Sequence, residues 1–94
     1  QIAALDKAEG HYADARLAED RKDYTAAEQA YRRAVDAAPS QVGRVLDLAK
    51  FLARRGRIPE SDALFAKADQ LAPNNPKVMF DRAATFIEGK RNLN

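Results

Sequence analysis

Side chains that could carry out nucleophilic, acid–base or metal chemistry are few in this chain, and they are widely spaced. The 94 residues include no cysteine, which excludes thiolate metal sites and disulfides. His11 is the one histidine, and no sequence pattern supports a histidine-based triad around it. The two serines, Ser40 and Ser61, have structural roles available as a helix cap and a packing residue. Four glycines form no phosphate-binding loop. We therefore predict no catalytic residue, no metal site and no cofactor, and we predict that the chain is not an enzyme.

Charge is nearly balanced and evenly distributed. The sequence contains sixteen Lys and Arg residues and fourteen Asp and Glu residues, which gives a net charge of +2. The densest basic run, residues 54–57, is typical of a helix C-terminus, where cations meet the helix dipole and Gly56 supplies a left-handed cap. A nucleic-acid surface needs a denser basic stripe with interleaved aromatics, and a membrane span needs about 18 apolar residues in a row. We predict neither, and the lack of cysteine is compatible with the cytoplasm and with the bacterial envelope.

An internal repeat organises the chain. Pro39 and Pro73 lie in similar sequence surroundings. We call the number of residues from Pro39 to Pro73 along the sequence the repeat interval. At this interval small residues recur with small ones and aromatic residues with aromatic ones: Ala15 with Ala49, Ala27 with Ser61, Tyr31 with Phe65, and Ala34 with Ala68. Alanine is abundant and β-branched residues are scarce, which favours closely packed helices over sheets. Recurrence at a fixed interval predicts a stack of similar helical units.

The helix boundaries follow from capping residues and apolar stripes. Five helices are predicted, at about 7–21, 24–37, 41–55, 59–72 and 76–88. The predicted N-caps are Asp23, Ser40 and Asn75. Gly56 and Gly89 are expected to end the third and fifth helices, because glycine adopts the left-handed conformation that closes a helix.

This helix–turn–helix unit resembles the tetratricopeptide repeat (TPR), whose period of about 34 residues equals the repeat interval. The residues that carry the resemblance are Ala15, Ala18, Tyr24, Ala27, Tyr31, Ala34 and Pro39 in the first unit, and Leu48, Ala49, Leu52, Gly56, Ser61, Phe65, Ala68 and Pro73 in the second. The resemblance implies an all-α fold, a right-handed α-solenoid of antiparallel helix pairs. It divides a single domain fragment, 1–94, into repeats at 8–41 and 42–75 and a partial repeat at 76–94. The chain begins at Gln1 in mid-pattern, so we expect a longer TPR protein around it.

The chain departs from the family pattern in both units, and in the second unit Pro59 and Ser61 stand where a plain helix former and alanine are commoner. Asp14 stands where the family usually has a large apolar residue, and Lys22 replaces the usual turn glycine. A terminal repeat with a polar outer face would account for Asp14, because the end of a solenoid faces water.

The resemblance also implies a function, since the first helix of each TPR pair lines a concave groove that binds a peptide or a helix of a partner protein. The groove residues carried over are Tyr12, Arg16, Asp47, Lys50, Arg54, Lys77, Phe80 and Asp81. Some TPR co-chaperones clamp a C-terminal carboxylate from this face. Only Lys77 matches that clamp, and Asp47 and Asp81 would repel a carboxylate, so we set that ligand aside. The predicted function is a non-catalytic protein-interaction scaffold; the alternative is a structural spacer or self-association segment.

The last predicted helix is apolar around much of its circumference. Met79, Ala83, Phe86 and Ile87 form one stripe, and Phe80 widens it. A helix with so wide an apolar arc needs neighbours on two sides. We therefore expect a homodimer through the C-terminal helix, or fraying at that end.

Overall fold

The computed structural model describes the backbone of residues 2–92 and the side chains of residues 7–88. Over that range the chain is helical, with no strand. The five helices are α1 (Ile2–Asp20), α2 (Tyr24–Ala37), α3 (Val42–Arg54), α4 (Ile58–Leu71) and α5 (Pro76–Asn92). The predicted all-α fold and the number of helices are confirmed.

The sequence repeat is visible in the backbone. The starts of α2 and α4 are separated by the repeat interval, as are their ends, and α3 and α5 begin at the same offset. The residues that follow α2 and α4 have nearly the same dihedral angles: Ala38 has φ −141° and ψ 71°, and Ala72 has φ −139° and ψ 76°. The same local conformation is therefore used twice at the repeat interval.

The paired positions identified in the sequence are all buried. They are Ala15, Ala27, Tyr31 and Ala34 in one unit, and Ala49, Ser61, Phe65 and Ala68 in the next. A methyl or hydroxymethyl group at a helix crossing lets the two backbones approach closely, and the aromatic ring fills the space beside it. The small residues at the paired positions are therefore buried in both units.

The residues form two compact units, the first ending at Arg44 and the second starting at Val45. In the first unit α1 packs against α2. In the second unit the buried side chains of α3 include Leu48, Phe51 and Leu52, and α5 packs against α4. The division falls inside α3, a few residues after the repeat boundary predicted between 41 and 42, and the repeat boundaries stay a prediction.

Two of the three predicted N-caps are confirmed. The side chain of Asp23 accepts a hydrogen bond from the Ala26 N–H at 3.2 Å, and that of Asn75 accepts one from the Lys77 N–H at 2.8 Å. Ser40 lies one residue too early to be a cap, because α3 begins at Val42 and the residue directly before it is Gln41.

Two helices are longer than their apolar patterns predicted. α1 begins at Ile2 instead of about residue 7. α5 continues through Gly89 to Asn92, because one glycine lowers helix stability by only about 1 kcal/mol and does not by itself end a helix. Gly56 does end α3 as predicted, with a left-handed φ of 81°.

Candidate functional site

In the first unit, the two groove candidates Tyr12 and Arg16 contact each other on one face of α1. Their spacing of four residues places them one helical turn apart. A guanidinium nitrogen of Arg16 donates a hydrogen bond to the Tyr12 hydroxyl oxygen at 2.9 Å. This hydrogen bond raises the pKa of Arg16 above its ordinary value, so the side chain stays positively charged. Arg16 is exposed and therefore available to a partner.

The ring of Tyr12 is itself held by two neighbours. It packs against the ring of Tyr31 on α2 at a centroid distance of 6.3 Å and a tilt of 58°. The guanidinium of Arg44 also lies over the Tyr12 ring, 4.2 Å from the ring centroid, which is cation–π geometry. The Tyr31 hydroxyl in turn donates to the Glu19 carboxylate at 2.9 Å. Tyr12 thus has a packing role in addition to its predicted binding role.

In the second unit, three groove candidates meet at one carboxylate. Asp81 on α5 has a side chain that is only 9% exposed, and its Oδ2 atom lies 3.0 Å from the Lys77 Nζ atom and 3.4 Å from the Lys50 Nζ atom. Lys77 lies one turn earlier on α5, whereas Lys50 reaches across from α3. A buried carboxylate is costly unless it is paired, and here two ammonium groups share it. These three side chains therefore carry a net charge of +1.

A pocket of about 310 Å³ adjoins this carboxylate. Its lining combines charged ends with small and apolar side chains from α3, α4 and α5. The lining residues are Lys50, Ala53, Arg54, Ile58, Asp81, Ala84, Thr85 and Glu88. Ala53 and Ala84 leave the space open because neither side chain extends beyond a methyl group. The pocket has the volume of the smaller ligand sites in proteins.

The remaining groove candidates differ in their exposure. Arg54 lines the pocket and is exposed, and Asp47 is half-buried on α3. Phe80 on α5 is 72% exposed, which is unusual for a phenylalanine in a folded chain.

Neither metal binding nor membrane insertion has a structural signature in the described part of the chain. Among those residues no group of three or more His, Cys, Asp or Glu side chains is arranged to hold a metal ion. None of the helices described is both long and apolar enough to cross a membrane.

Comparison with known proteins decides the family. A family model described as the tetratricopeptide repeat matches residues 18–79, about two thirds of the chain. The chain belongs to the TPR family. No curated protein and no solved structure matches it significantly. TPR domains are typically non-catalytic scaffolds for protein–protein interaction, so the family indicates protein partners.

The TPR match covers only part of the candidate groove. Asp47, Lys50, Arg54 and Lys77 lie inside residues 18–79. The two candidates on α1 precede the match, and Phe80 and Asp81 on α5 follow it. The roles of all eight residues stay a prediction.

The sequence did not identify every residue that lines the pocket. Ile58, Thr85 and Glu88 were not among the groove candidates, although they flank the pocket next to those that were. A signal was available in the repeat itself, because Arg54 and Glu88 stand one repeat interval apart and so occupy equivalent positions in consecutive units. Ile58 carries no such signal, since it lies at the start of α4 instead of on a first helix.

Proposed function

We propose that this TPR chain is a non-catalytic protein-interaction module that holds a peptide or a helix of a partner against the first helices of its pairs. The observation that supports the proposal is the pocket in the second unit. Lys50, Arg54 and Asp81 come from two helices and adjoin one cavity of about 310 Å³.

The chemistry of the pocket suits a protein side chain better than a reaction. Ala53, Ala84 and Ile58 offer apolar surface, and charges of both signs stand around them. Binding sites for peptides combine apolar contact, which supplies affinity, with a few polar groups, which set orientation. A volume of about 310 Å³ accommodates one or two side chains of a partner segment.

The first unit supports the same proposal with a second polar contact point. Arg16 is exposed and permanently charged, and Tyr12 holds it by a hydrogen bond. A side chain that is already oriented loses less conformational entropy when a partner binds. Arginine and tyrosine are also the residue types that most often contribute strongly to protein interfaces.

The proposal is tested by filling the pocket without changing its charges. Ala84→Leu replaces a methyl group with an isobutyl group at a half-buried lining position, whereas Ala66→Leu makes the same change at an exposed position of α4 outside the pocket. The three proteins, native and both variants, are used to retain partners from a cell extract, and helicity is checked by circular dichroism. We expect partners that the native chain and Ala66→Leu retain to be lost with Ala84→Leu. If Ala84→Leu keeps every partner while remaining folded, the pocket is not the binding site.

The alternative function is structural, as a spacer or a self-association segment of a longer TPR protein. The apolar face of α5 favours self-association over a plain spacer, because Met79 and Phe80 are 59% and 72% exposed. We propose a homodimer through this helix as the second function. Sedimentation of the native chain over a wide concentration range tests it: the weight-average mass should rise towards twice that of one chain, and a constant monomer mass would contradict it.

A further inference from the structure

The two lysines that meet at Asp81 are not equally engaged with it. Lys77 donates a hydrogen bond to the Asp81 Oδ2 atom at 3.0 Å, whereas the Lys50 Nζ atom lies 3.4 Å from the same oxygen. Hydrogen bonds from an ammonium group to a carboxylate are about 2.7–2.9 Å long, so the Lys50 contact is a looser ion pair. An ammonium group has three N–H donors. Lys50 therefore keeps donors for a further acceptor.

The charges at the pocket leave a surplus of one positive charge. Lys50 and Arg54 line the pocket together with Asp81 and Glu88, so the lining residues by themselves are balanced. Lys77 does not line the pocket, but its hydrogen bond neutralises Asp81 from outside the lining. The surplus charge is therefore the one on Lys50.

Lys50 is also better shielded from water than the other charged residues that could set the preference of the pocket. Its side chain is 33% exposed, whereas Arg54 and Glu88 are classed among the exposed residues of their helices and have opposite charges. Solvent and salt weaken the interactions of an exposed charge more than those of a partly buried one. The sign of the charge that the pocket prefers is therefore set by Lys50.

The pocket has methyl groups close to Lys50 in the sequence pattern. Ala53 follows Lys50 by three residues on α3, and Ala84 occupies the position on α5 that is equivalent to Lys50, one repeat interval later. Both alanines line the pocket. The second helix thus adds no charge at the equivalent position, and the pocket offers apolar surface beside an ammonium group.

We propose that the pocket binds an acidic side chain of the partner segment, a glutamate or an aspartate, whose carboxylate accepts hydrogen bonds from the Lys50 ammonium group. The methylene groups of that side chain contact Ala53 and Ala84. The bound carboxylate brings Lys50, Lys77 and Asp81 to a net charge of zero. This inference rests on the proposed function, because it names the chemistry of the residue that enters the same pocket.

The carboxylate belongs to a side chain and not to a chain terminus. Lys77 is the one residue that matches the clamp for a C-terminal carboxylate, and it is already hydrogen-bonded to Asp81. Lys50 is not part of that clamp.

The experiment titrates the isotope-labelled chain with small peptides and follows the amide NMR signals of Ala53 and Ala84. Three pentapeptides, acetylated and amidated so that their ends are uncharged, have leucine at both ends and alanine on either side of a central residue. The central residue is glutamate, glutamine or lysine. A fourth peptide has the central glutamine and an unblocked C-terminal carboxylate.

We expect the native chain to bind the glutamate peptide about fivefold more tightly than the blocked glutamine peptide at low ionic strength, as for a partly exposed charge pair. In about 1 M salt, where the Debye length is about 3 Å, the two affinities should converge. Lys50→Gln should abolish the difference at low ionic strength, and Lys50→Arg should restore it. Lys67→Gln makes the same charge change at an exposed position of α4 outside the pocket and should leave the difference unchanged.

Four results would overturn the inference. Equal affinities of the native chain for the glutamate and glutamine peptides would show that charge is not recognised. Tighter binding of the lysine peptide would assign recognition to Glu88, and tighter binding of the unblocked peptide would show that the pocket binds a chain terminus. Unchanged signals of Ala53 and Ala84 with the glutamate peptide would show that no acidic side chain enters.

The failure of this inference is distinguishable from the failure of the proposed function. If Ala84→Leu loses the partners that the native chain retains, but one of these four results is found, the pocket is the binding site and the acidic preference is wrong. If Ala84→Leu retains every partner and the signals stay unchanged, both proposals are wrong.

Discussion

Lys22 and Gly56 lie one repeat interval apart, and both have a left-handed backbone, with φ of 63° and 81°. The hydrogen bonds around them repeat at the same interval. The Asp23 N–H donates to the Ala18 carbonyl at 2.9 Å, and the Arg57 N–H donates to the Leu52 carbonyl at 2.9 Å. One helix-ending turn is thus built twice, once with the glycine that suits it and once with a lysine that does not.

Replacing Lys22 with glycine should therefore stabilise the chain. A residue with a Cβ atom is destabilised by about 1–2 kcal/mol in the left-handed region. Part of the gain from glycine is lost because glycine has greater conformational freedom in the unfolded chain. We expect Lys22→Gly to raise the free energy of unfolding by about 0.5–1 kcal/mol, measured by urea denaturation.

The reverse change at Gly56, the equivalent position in the next unit, should lower the stability of the chain. An added Cβ at Gly56 would meet no atom within 4 Å, so Gly56→Ala tests backbone strain without a steric clash. We expect it to lower the free energy of unfolding by about 1 kcal/mol. A Lys22→Gly variant less stable than the native chain would contradict this account of the turn.

The helix crossings should not tolerate larger side chains. Ala27 on α2 and Ala68 on α4 are both completely buried. Leucine at either position should cost roughly 1–3 kcal/mol by overpacking. Ala66→Leu, exposed on α4, should change stability by less than about 0.5 kcal/mol. Thermal unfolding of the three variants checks this, and equal shifts for all of them would contradict the helix-pair packing.

Ser61 adds a polar contact to one of these crossings. Its hydroxyl donates to the backbone carbonyl of Ala49 at 2.7 Å, in a buried position between α4 and α3. Ser61→Ala should cost about 1 kcal/mol in chemical denaturation, because the hydrogen bond is lost while the volume is nearly kept. Ser40→Ala is the control, since Ser40 is exposed and precedes the cap position of α3. If Ser40→Ala lowered the free energy of unfolding as much as Ser61→Ala, the hydrogen bond from Ser61 to Ala49 would contribute nothing specific to stability.

The Asp81 carboxylate should matter more than an exposed carboxylate in a similar ion pair. Asp81→Asn leaves the Lys50 and Lys77 ammonium groups facing each other without a counter-charge, and should cost about 1–3 kcal/mol. Asp62→Asn removes the partner of Arg82 at the surface, where both side chains are well exposed, and should cost less than about 1 kcal/mol. Urea denaturation of the two variants gives the comparison. Equal losses would show that the two lysines do not depend on Asp81.

The sequence predicts the helix pairs well because their packing depends on residue size at a fixed interval. Alanine at 15 and 49 and an aromatic ring at 31 and 65 leave few other ways for helices to meet, and these positions are all buried. Helix ends are predicted less well. Gly89 was expected to end α5, but the helix continues to Asn92, since a single glycine's preference is small compared with the backbone hydrogen bonds of the helix it stands in.

The packing side of α5 could not be read from the sequence. An apolar arc that includes Met79 and Phe86 suggests the inner face, yet the buried residues are Val78 and Asp81. The burial of Asp81 depends on Lys50, which lies two helices earlier in the chain, and no local pattern shows that the two will meet. The pocket was missed as a cavity for the same reason, because its walls come from three helices.

α5 is anchored in its unit through few described side chains, since between Pro76 and Glu88 only Val78 and Asp81 are buried. The same helix supplies half of the pocket lining. Undocking of this one element, without unfolding of the rest, would therefore erase the cavity. Binding of a partner segment in the pocket and packing of α5 against its unit are therefore thermodynamically linked. A bound segment would slow amide exchange along α5. A contact that stabilises the packed position of α5 from outside would raise the affinity of the pocket for the segment by the same factor.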